Sequence, residues 1–231
     1  MAINYLSILR MRLRSLGRSN AEVFDGIYKN HRWGTNPDAS DGISSGSGSF
    51  AQNTRSYEDL VYAYAAKHGI RTIVDVGCGD FQVSKRILNR LPASVDYTGL
   101  DVAQVVVDRN NALFGNERTR FVQHDAALEN VPPADLVLIR EVMQHLPNAD
   151  IKKMLANLDP ASHILATNTV AIRARKINMD LPPGSASRAG LGSGLALDQP
   201  PFNCRVEELL RVPHAKWPTE IVTVRILEMV A

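Results

Sequence analysis

Cysteine is scarce in this sequence: Cys78 and Cys204 are the only two among 231 residues. That excludes a disulfide framework and a four-cysteine zinc site, and a reduced, cytoplasmic setting is the simplest expectation. His68, His163 and His214 show no metal-ligand spacing, so no metal is expected. No apolar run approaches the roughly 20 residues that a membrane span requires. Charge of one sign is lacking too. A net charge of +2, from 26 basic and 24 acidic residues, argues against a nucleic-acid partner. Internal repeats are absent. What is present is an ordinary globular composition, 45% hydrophobic and 22% charged, with length for one domain and a substantial core.

The first twenty residues carry Ile3, Leu6, Leu9, Leu13 and Leu16 at helical spacing, with Arg10, Arg12, Arg14 and Arg18 between them. Arginines interrupt the apolar stretch and no small-residue cleavage site follows, so this is not a convincing signal peptide. Two readings stand: weak contact of residues 1–20 with an anionic membrane surface or a partner, or a helix packed on its own domain. From Ala21 to Phe50 no strong periodicity is visible, and Asp41 to Ser49 is rich in Gly and Ser. That composition suits a linker, but Phe24, Tyr28 and Trp33 just upstream suit a lid that closes over a ligand. Residues 1–55 are therefore expected to form an N-terminal helix and a lid-like segment, and residues 56–231 the main domain. His31 and Trp33 belong to such a lid, or to a structural aromatic anchor.

From Ser56 the pattern is regular. Tyr57, Leu60, Val61, Tyr64 and Ala65 stripe a helix that Gly69 stops. Arg71–Val76, Asp96–Val102, Arg120–Gln123, Ala134–Arg140 and His163–Thr169 read as buried strands, separated by helices over Val83–Leu91, Val105–Phe114 and Ile151–Leu158. Alternation of this kind gives an α/β fold, a doubly wound, mostly parallel sheet with helices on both faces. Ile172 to Asn203 is a long irregular segment, and Ile221 to Met229 a closing strand.

In such sheets ligands bind beyond the carboxyl ends of the strands. Those ends carry Asp75 with the turn Gly77-Cys78-Gly79-Asp80, then Asp101, Asp125 after His124, Arg140-Glu141 followed by Gln144 and His145, and Asn168. Gly77 and Gly79 let backbone approach a ligand and permit unusual dihedrals. The helix after the turn aims its first amides at the same place. Asp101 is placed to accept hydrogen bonds from ribose hydroxyls, and Asp125 from an exocyclic adenine amine. Asp80 either meets a ligand's ammonium or caps the next helix.

Val74-Asp75-Val-Gly-Cys-Gly-Asp80, Gly99-Leu-Asp101, His124-Asp125-Ala126 and Ala134-Asp-Leu-Val-Leu138 resemble the successive motifs of class I S-adenosylmethionine-dependent methyltransferases, over roughly Ser56 to Val170. The resemblance implies a Rossmann-like sheet of seven strands with the last antiparallel, a place Ile221–Met229 would fill. It implies S-adenosylmethionine as cofactor, with Gly77 and Gly79 at its amino-acid part, Asp101 at the ribose and Asp125-Ala126 at the adenine; Asp75, Cys78, Asp80 and Val102 complete the expected cofactor-binding set. Residues 140–145 then line the transfer site. Tyr28-Lys-Asn-His-Arg-Trp-Gly34, the Gly-Ser-Gly turn near Gly48 and Pro200-Pro-Phe-Asn203 are similar to a bacterial group with members among polysaccharide genes, which points to sugar O-methylation.

The expected reaction is O-methylation of a small molecule or saccharide. A hydroxyl acceptor needs a base, and His145 is the first candidate because an imidazole titrates near neutrality. Glu141 is the second. Arg140 is placed to position an anionic acceptor or pair with Glu141. Arg173, Arg175, Lys176 and Arg188 form either an anion clamp or a solvated basic loop. Two rivals remain: an NAD-dependent oxidoreductase, disfavoured because Gly77-Cys-Gly79 lacks the third fingerprint glycine, and a non-catalytic nucleoside-binding protein.

Overall fold

A computed structural model describes residues 5–35, 42–160, 162–174, 176–214 and 218–229. Its centre is one seven-stranded sheet built from β1 (Thr72–Val76), β2 (Asp96–Asp101), β3 (Thr119–Gln123), β4 (Leu136–Arg140), β5 (His163–Ala171), β6 (Arg205–Pro213) and β7 (Thr219–Glu228). The order is β3-β2-β1-β4-β5-β7-β6. Strands β1 to β5 are parallel, whereas β7 runs antiparallel between β5 and β6. The order reverses between β1 and β4, so a crevice opens at the carboxyl ends of those two strands.

Among the described residues six α-helices surround the sheet: α1 (Tyr5–Ser15), α2 (Asn20–Lys29), α3 (Ala51–His68), α4 (Gln82–Leu88), α5 (Gln104–Phe114) and α6 (Asn148–Ala156). Strand side chains alternate between faces with period two. Ile73, Leu136, Leu138 and Leu165 pack with Tyr57 and Val61 of α3 and Ile87 of α4. Val74, Val76, Val137, Ile139 and Ile164 pack with Phe24 and Ile27 of α2 and Ile151 and Met154 of α6. Two apolar faces on the central strands explain why β4 reads as an unbroken hydrophobic run from Leu136 to Ile139 and why β1 is interrupted only by Asp75. Gly69 ends α3 with φ +65° and its amide donates to the Ala65 carbonyl, as expected for a helix stop.

Three features differ from the sequence reading. Strand β6 was not anticipated. Glu207, Glu208 and Arg211 break its alternation, because it is an edge strand whose charges face water and pair with β7, as in Arg211–Glu220 at 2.7 Å and Arg225–Glu207 at 2.7 Å. Arg188 is neither solvated nor an anion clamp. It is fully buried and donates to the Met143, Leu146 and Met179 carbonyls and to Asn148 Oδ1, which ties the 172–203 segment to the end of β4. Arg173 and Lys176 are exposed, and Arg175 lies outside the described residues. Helix α1 does both things at once: Ile8 packs on Met179, Leu181 and Leu191, while Leu9, Leu13 and Leu16 point to water. Ile3 lies outside the described residues.

Candidate active site

The turn after β1 is built by two glycines with positive φ, +70° at Gly77 and +56° at Gly79. The amides of Gly77 and Cys78 both donate to the Leu100 carbonyl, at 2.7 and 3.0 Å, which draws the turn against the end of β2. A Cβ on Gly77 would come 2.3 Å from Val142 Cγ2, and one on Gly79 would come 2.3 Å from Ser45 Oγ. The sequence reading assigned these glycines to a ligand's approach. The structure adds that neighbouring protein atoms crowd both positions.

Around this turn the twelve residues singled out from the sequence, Asp75, Gly77, Cys78, Gly79, Asp80, Asp101, Val102, Asp125, Ala126, Arg140, Glu141 and His145, all line one cavity of about 1080 Å³. Phe24, Tyr28, Trp33 and Met154 give it apolar walls. Each carboxylate already has protein partners. Asp75 accepts from Ser84 Oγ and from Tyr97 Oη at 2.8 Å. Asp101 accepts from the amides of Gly79 (3.0 Å) and Ala103 (2.9 Å), and burial pushes its carboxyl up to about 6. Asp125 accepts from the Ala127 amide and from Asn20 Nδ2, so it also fastens the start of α2.

Asp80 has the capping role. It is buried, accepts from the Gln82 amide, and binds Ser45 of the 42–50 segment in both directions. That glycine- and serine-rich segment is packed, not a free linker. Arg86 donates to the Ser49 carbonyl and Arg140 to the Gly48 carbonyl, at 2.9 and 2.7 Å. Arg140 is thereby directed to Gly48 and the Tyr57 ring, and no ion pair with Glu141 forms among the described residues. Cys78 packs behind the turn, with Sγ beside Gly99, and burial raises its thiol well above the usual range.

Beyond β4 the chain is strained. Glu141 has φ +60°, rare for a residue with a Cβ and a conformation that persists only where the surroundings enforce it. Here its amide donates to the Thr167 carbonyl, Thr169 Oγ1 lies 2.9 Å from both of its carboxylate oxygens, and Gln144 Nε2 donates to Oε2. Burial raises the Glu141 carboxyl above the ordinary glutamate value. His145 is differently placed. Its Nδ1 lies 3.2 Å from the Ala186 carbonyl and its Nε2 3.4 Å from Gln144 Nε2, so both ring nitrogens have protein partners. Burial lowers its pKa to about 4. Trp33 lies against it, ring centroids 5.4 Å apart, and donates Nε1–H to the Ser185 carbonyl. Trp33 thus joins the N-terminal segment to the 172–203 segment over the cavity, while His31 is exposed in a turn.

Sequence reasoning missed Ser45, Asn20, Thr169 and Asn110 as parts of this site or its support. Asn110, fully buried on α5, donates to the Gly79 carbonyl at 2.7 Å. None of these stands in a motif; only the buried polar side chain in an otherwise apolar stripe of α5 was a signal.

The cavity suits S-adenosylmethionine. It brings acidic strand ends and a glycine turn to one apolar slot, and it leaves His124 Nε2 beside Asp125 and Gln144 Oε1 beside Glu141 buried without partners. The sheet order, with β7 reversed, departs from the all-parallel six-stranded order of dinucleotide-binding oxidoreductases.

Comparison with known proteins agrees with this. Residues 74–164 match the family model described as a methyltransferase domain. Trans-resveratrol di-O-methyltransferase from Vitis vinifera is 32% identical over 87 residues, 38% of this chain, and the chain spans only 23% of that enzyme's length. Two solved structures share the fold. Magnesium protoporphyrin IX methyltransferase from Synechocystis PCC 6803 is 16% identical with a TM-score of 0.54, covering 91% of this chain and 99% of that one. Human N-acetylserotonin methyltransferase is 15% identical with a TM-score of 0.53, covering 96% of this chain and 65% of that one. Fold, strand-end motifs and family match converge: residues 74–164 match a methyltransferase domain, and the chain shares its fold with solved methyltransferases.

Proposed function

We propose that the chain methylates a hydroxyl oxygen of a small molecule or saccharide, with Glu141 as the base. The observation that carries this reading is the strained, half-buried Glu141, its carboxylate held by Thr169 and Gln144 inside the same cavity as the glycine turn. S-adenosylmethionine, when bound, supplies an electrophilic methyl group on a sulfonium. Asp101 and Val102 would hold its ribose, Asp125 and Ala126 its adenine, and the Gly77–Gly79 turn its amino-acid part. The chain's own task is then to place the acceptor oxygen, exclude water and receive a proton.

Glu141 is suited to the last task. Loss of water makes its carboxylate more basic than an exposed glutamate, and its two partners fix its orientation without neutralising it. His145, the first candidate from the sequence, is better suited to positioning, because its nitrogens are engaged and its ring supports Trp33. The name of the grapevine relative, a di-O-methyltransferase, supports oxygen as the acceptor atom.

Incubation with methyl-labelled S-adenosylmethionine and a panel of saccharides, phenols and small hydroxylated metabolites tests the reading. Label transfer to a hydroxyl, abolished by Glu141→Gln, is expected. Cofactor binding with no transfer to any acceptor would favour a nucleoside-binding protein that kept the fold.

A further inference from the structure

Helix α1 shows two faces to two environments. Ile8, Met11 and Ser15 are half-buried against the 172–203 segment, where Ile8 joins Met179, Leu181 and Leu191 and Met11 Cε approaches Gly184. On the opposite side Leu9 and Leu13, one helical turn apart, are 53% and 66% exposed, and Leu16 just past the helix end is 79% exposed. Scattered exposed leucines need no explanation, but two on one helix face with a third just past its end do. Arg10 and Arg12 flank this stripe and Arg14 and Arg18 follow; all four are exposed, and no acidic residue precedes Glu22 in the sequence.

We propose that α1 docks the protein on an anionic lipid surface, with Leu9, Leu13 and Leu16 entering the headgroup–acyl boundary and the arginines meeting lipid phosphates. The arrangement is that of an interfacial helix: an apolar stripe bordered by long cations whose stems lie along it while their heads reach the phosphates. Charge selects this occupant over a second copy of the chain. An isologous contact through the leucine stripe would bring the arginines of one protomer toward those of its partner, and α1 itself carries no carboxylate to offset them. Because the buried face of α1 rests on the segment that walls the cavity, docking would set the cavity mouth near the lipid surface. None of these residues belongs to the site described above.

Flotation of the 231-residue chain with vesicles of phosphatidylcholine alone, or mixed with phosphatidylglycerol, tests the proposal. Binding to the anionic vesicles is expected to exceed binding to the neutral ones by roughly tenfold or more and to fall with salt. Replacing Arg10 and Arg12 by Gln should weaken it by about fivefold per arginine, the equivalent of the roughly 1 kcal/mol a basic residue gains at such a surface. Leu13→Glu with Leu16→Glu should abolish it while leaving the thermal midpoint unchanged, since both side chains are solvent-exposed. Equal or absent binding to the two vesicle types overturns the proposal, as do variants that float like the parent. A concentration-dependent dimer dissolved by the leucine substitutions, without vesicle binding, would assign the face to a second copy instead.

Discussion

Asp80 and Ser45 hold each other in both directions: the Asp80 amide donates to Ser45 Oγ at 2.7 Å, and the Ser45 amide donates to Asp80 Oδ2 at 3.1 Å. This clasp joins the glycine turn after β1 to a segment 35 residues earlier, and Tyr28 Oη lies 3.1 Å from the same Ser45 oxygen. Ser45→Ala removes that oxygen and leaves the Asp80 amide without its acceptor. A loss of about 1–3 kcal/mol is expected in denaturant titrations, with faster hydrogen exchange concentrated in residues 42–50. Exchange that stays as slow as in the parent would show the clasp to be incidental.

Gly79→Ala tests the same junction from the other side. The new methyl group needs φ near +56° and meets Ser45 Oγ at 2.3 Å, so both strain and collision oppose it. The substitution is expected to weaken cofactor binding and lower the thermal midpoint together. Ser45→Gly in the same chain clears the collision but forfeits the clasp, so the two substitutions together should cost less than the sum of their separate losses.

Asp101 gives cofactor binding a pH dependence. Burial pushes its carboxyl up to about 6, and hydroxyl donors from a ribose would favour the charged form, so the bound state has the lower pKa. Affinity should therefore be level above about pH 6 and fall as pH drops through that value. Asp101→Asn should flatten this dependence and cost about 1–3 kcal/mol of binding at pH 7. Calorimetric titrations across that range measure both, and an unchanged affinity in the variant removes Asp101 from the binding site.

Glu141→Gln keeps the shape of the side chain and removes the base. Turnover is expected to fall by roughly 10²–10⁴-fold with cofactor affinity retained. In the parent enzyme the rate should rise with pH through a value above the ordinary glutamate range, because the carboxylate must be ionised to accept a proton and burial raises its pKa. That limb should vanish in the variant. His145→Ala is expected to cost less and to keep the limb; the reverse ranking would return the role of base to His145.

Arg188→Met keeps the bulk of a fully buried side chain but strips the Met143, Leu146 and Met179 carbonyls of their donor. Destabilisation of about 3 kcal/mol or more is expected by chemical denaturation. Arg188→Lys should rescue little, because one ammonium cannot span acceptors that a guanidinium fork reaches. Burial lowers the Arg188 pKa only to about 10, so this contribution should be constant from acid to neutral pH.

The sequence alone determined the order of strands and helices from β1 to β5, the stop at Gly69 and the acidic residues at successive strand ends. These follow from short-range rules: the period of apolar residues, the dihedral freedom of glycine, and the alternation that forces a parallel sheet. Strand β6 escaped because an edge strand is selected by its pairing with β7 and carries charges where a central strand carries valines. The partners that decide roles were equally out of reach. Whether Arg188 meets water or four protein acceptors, whether His145 keeps a free nitrogen, and whether Ser45 closes on the glycine turn depend on residues 35 to 45 positions away meeting in space. Desolvation and hydrogen bonding act through those meetings, and only the packed chain brings them about.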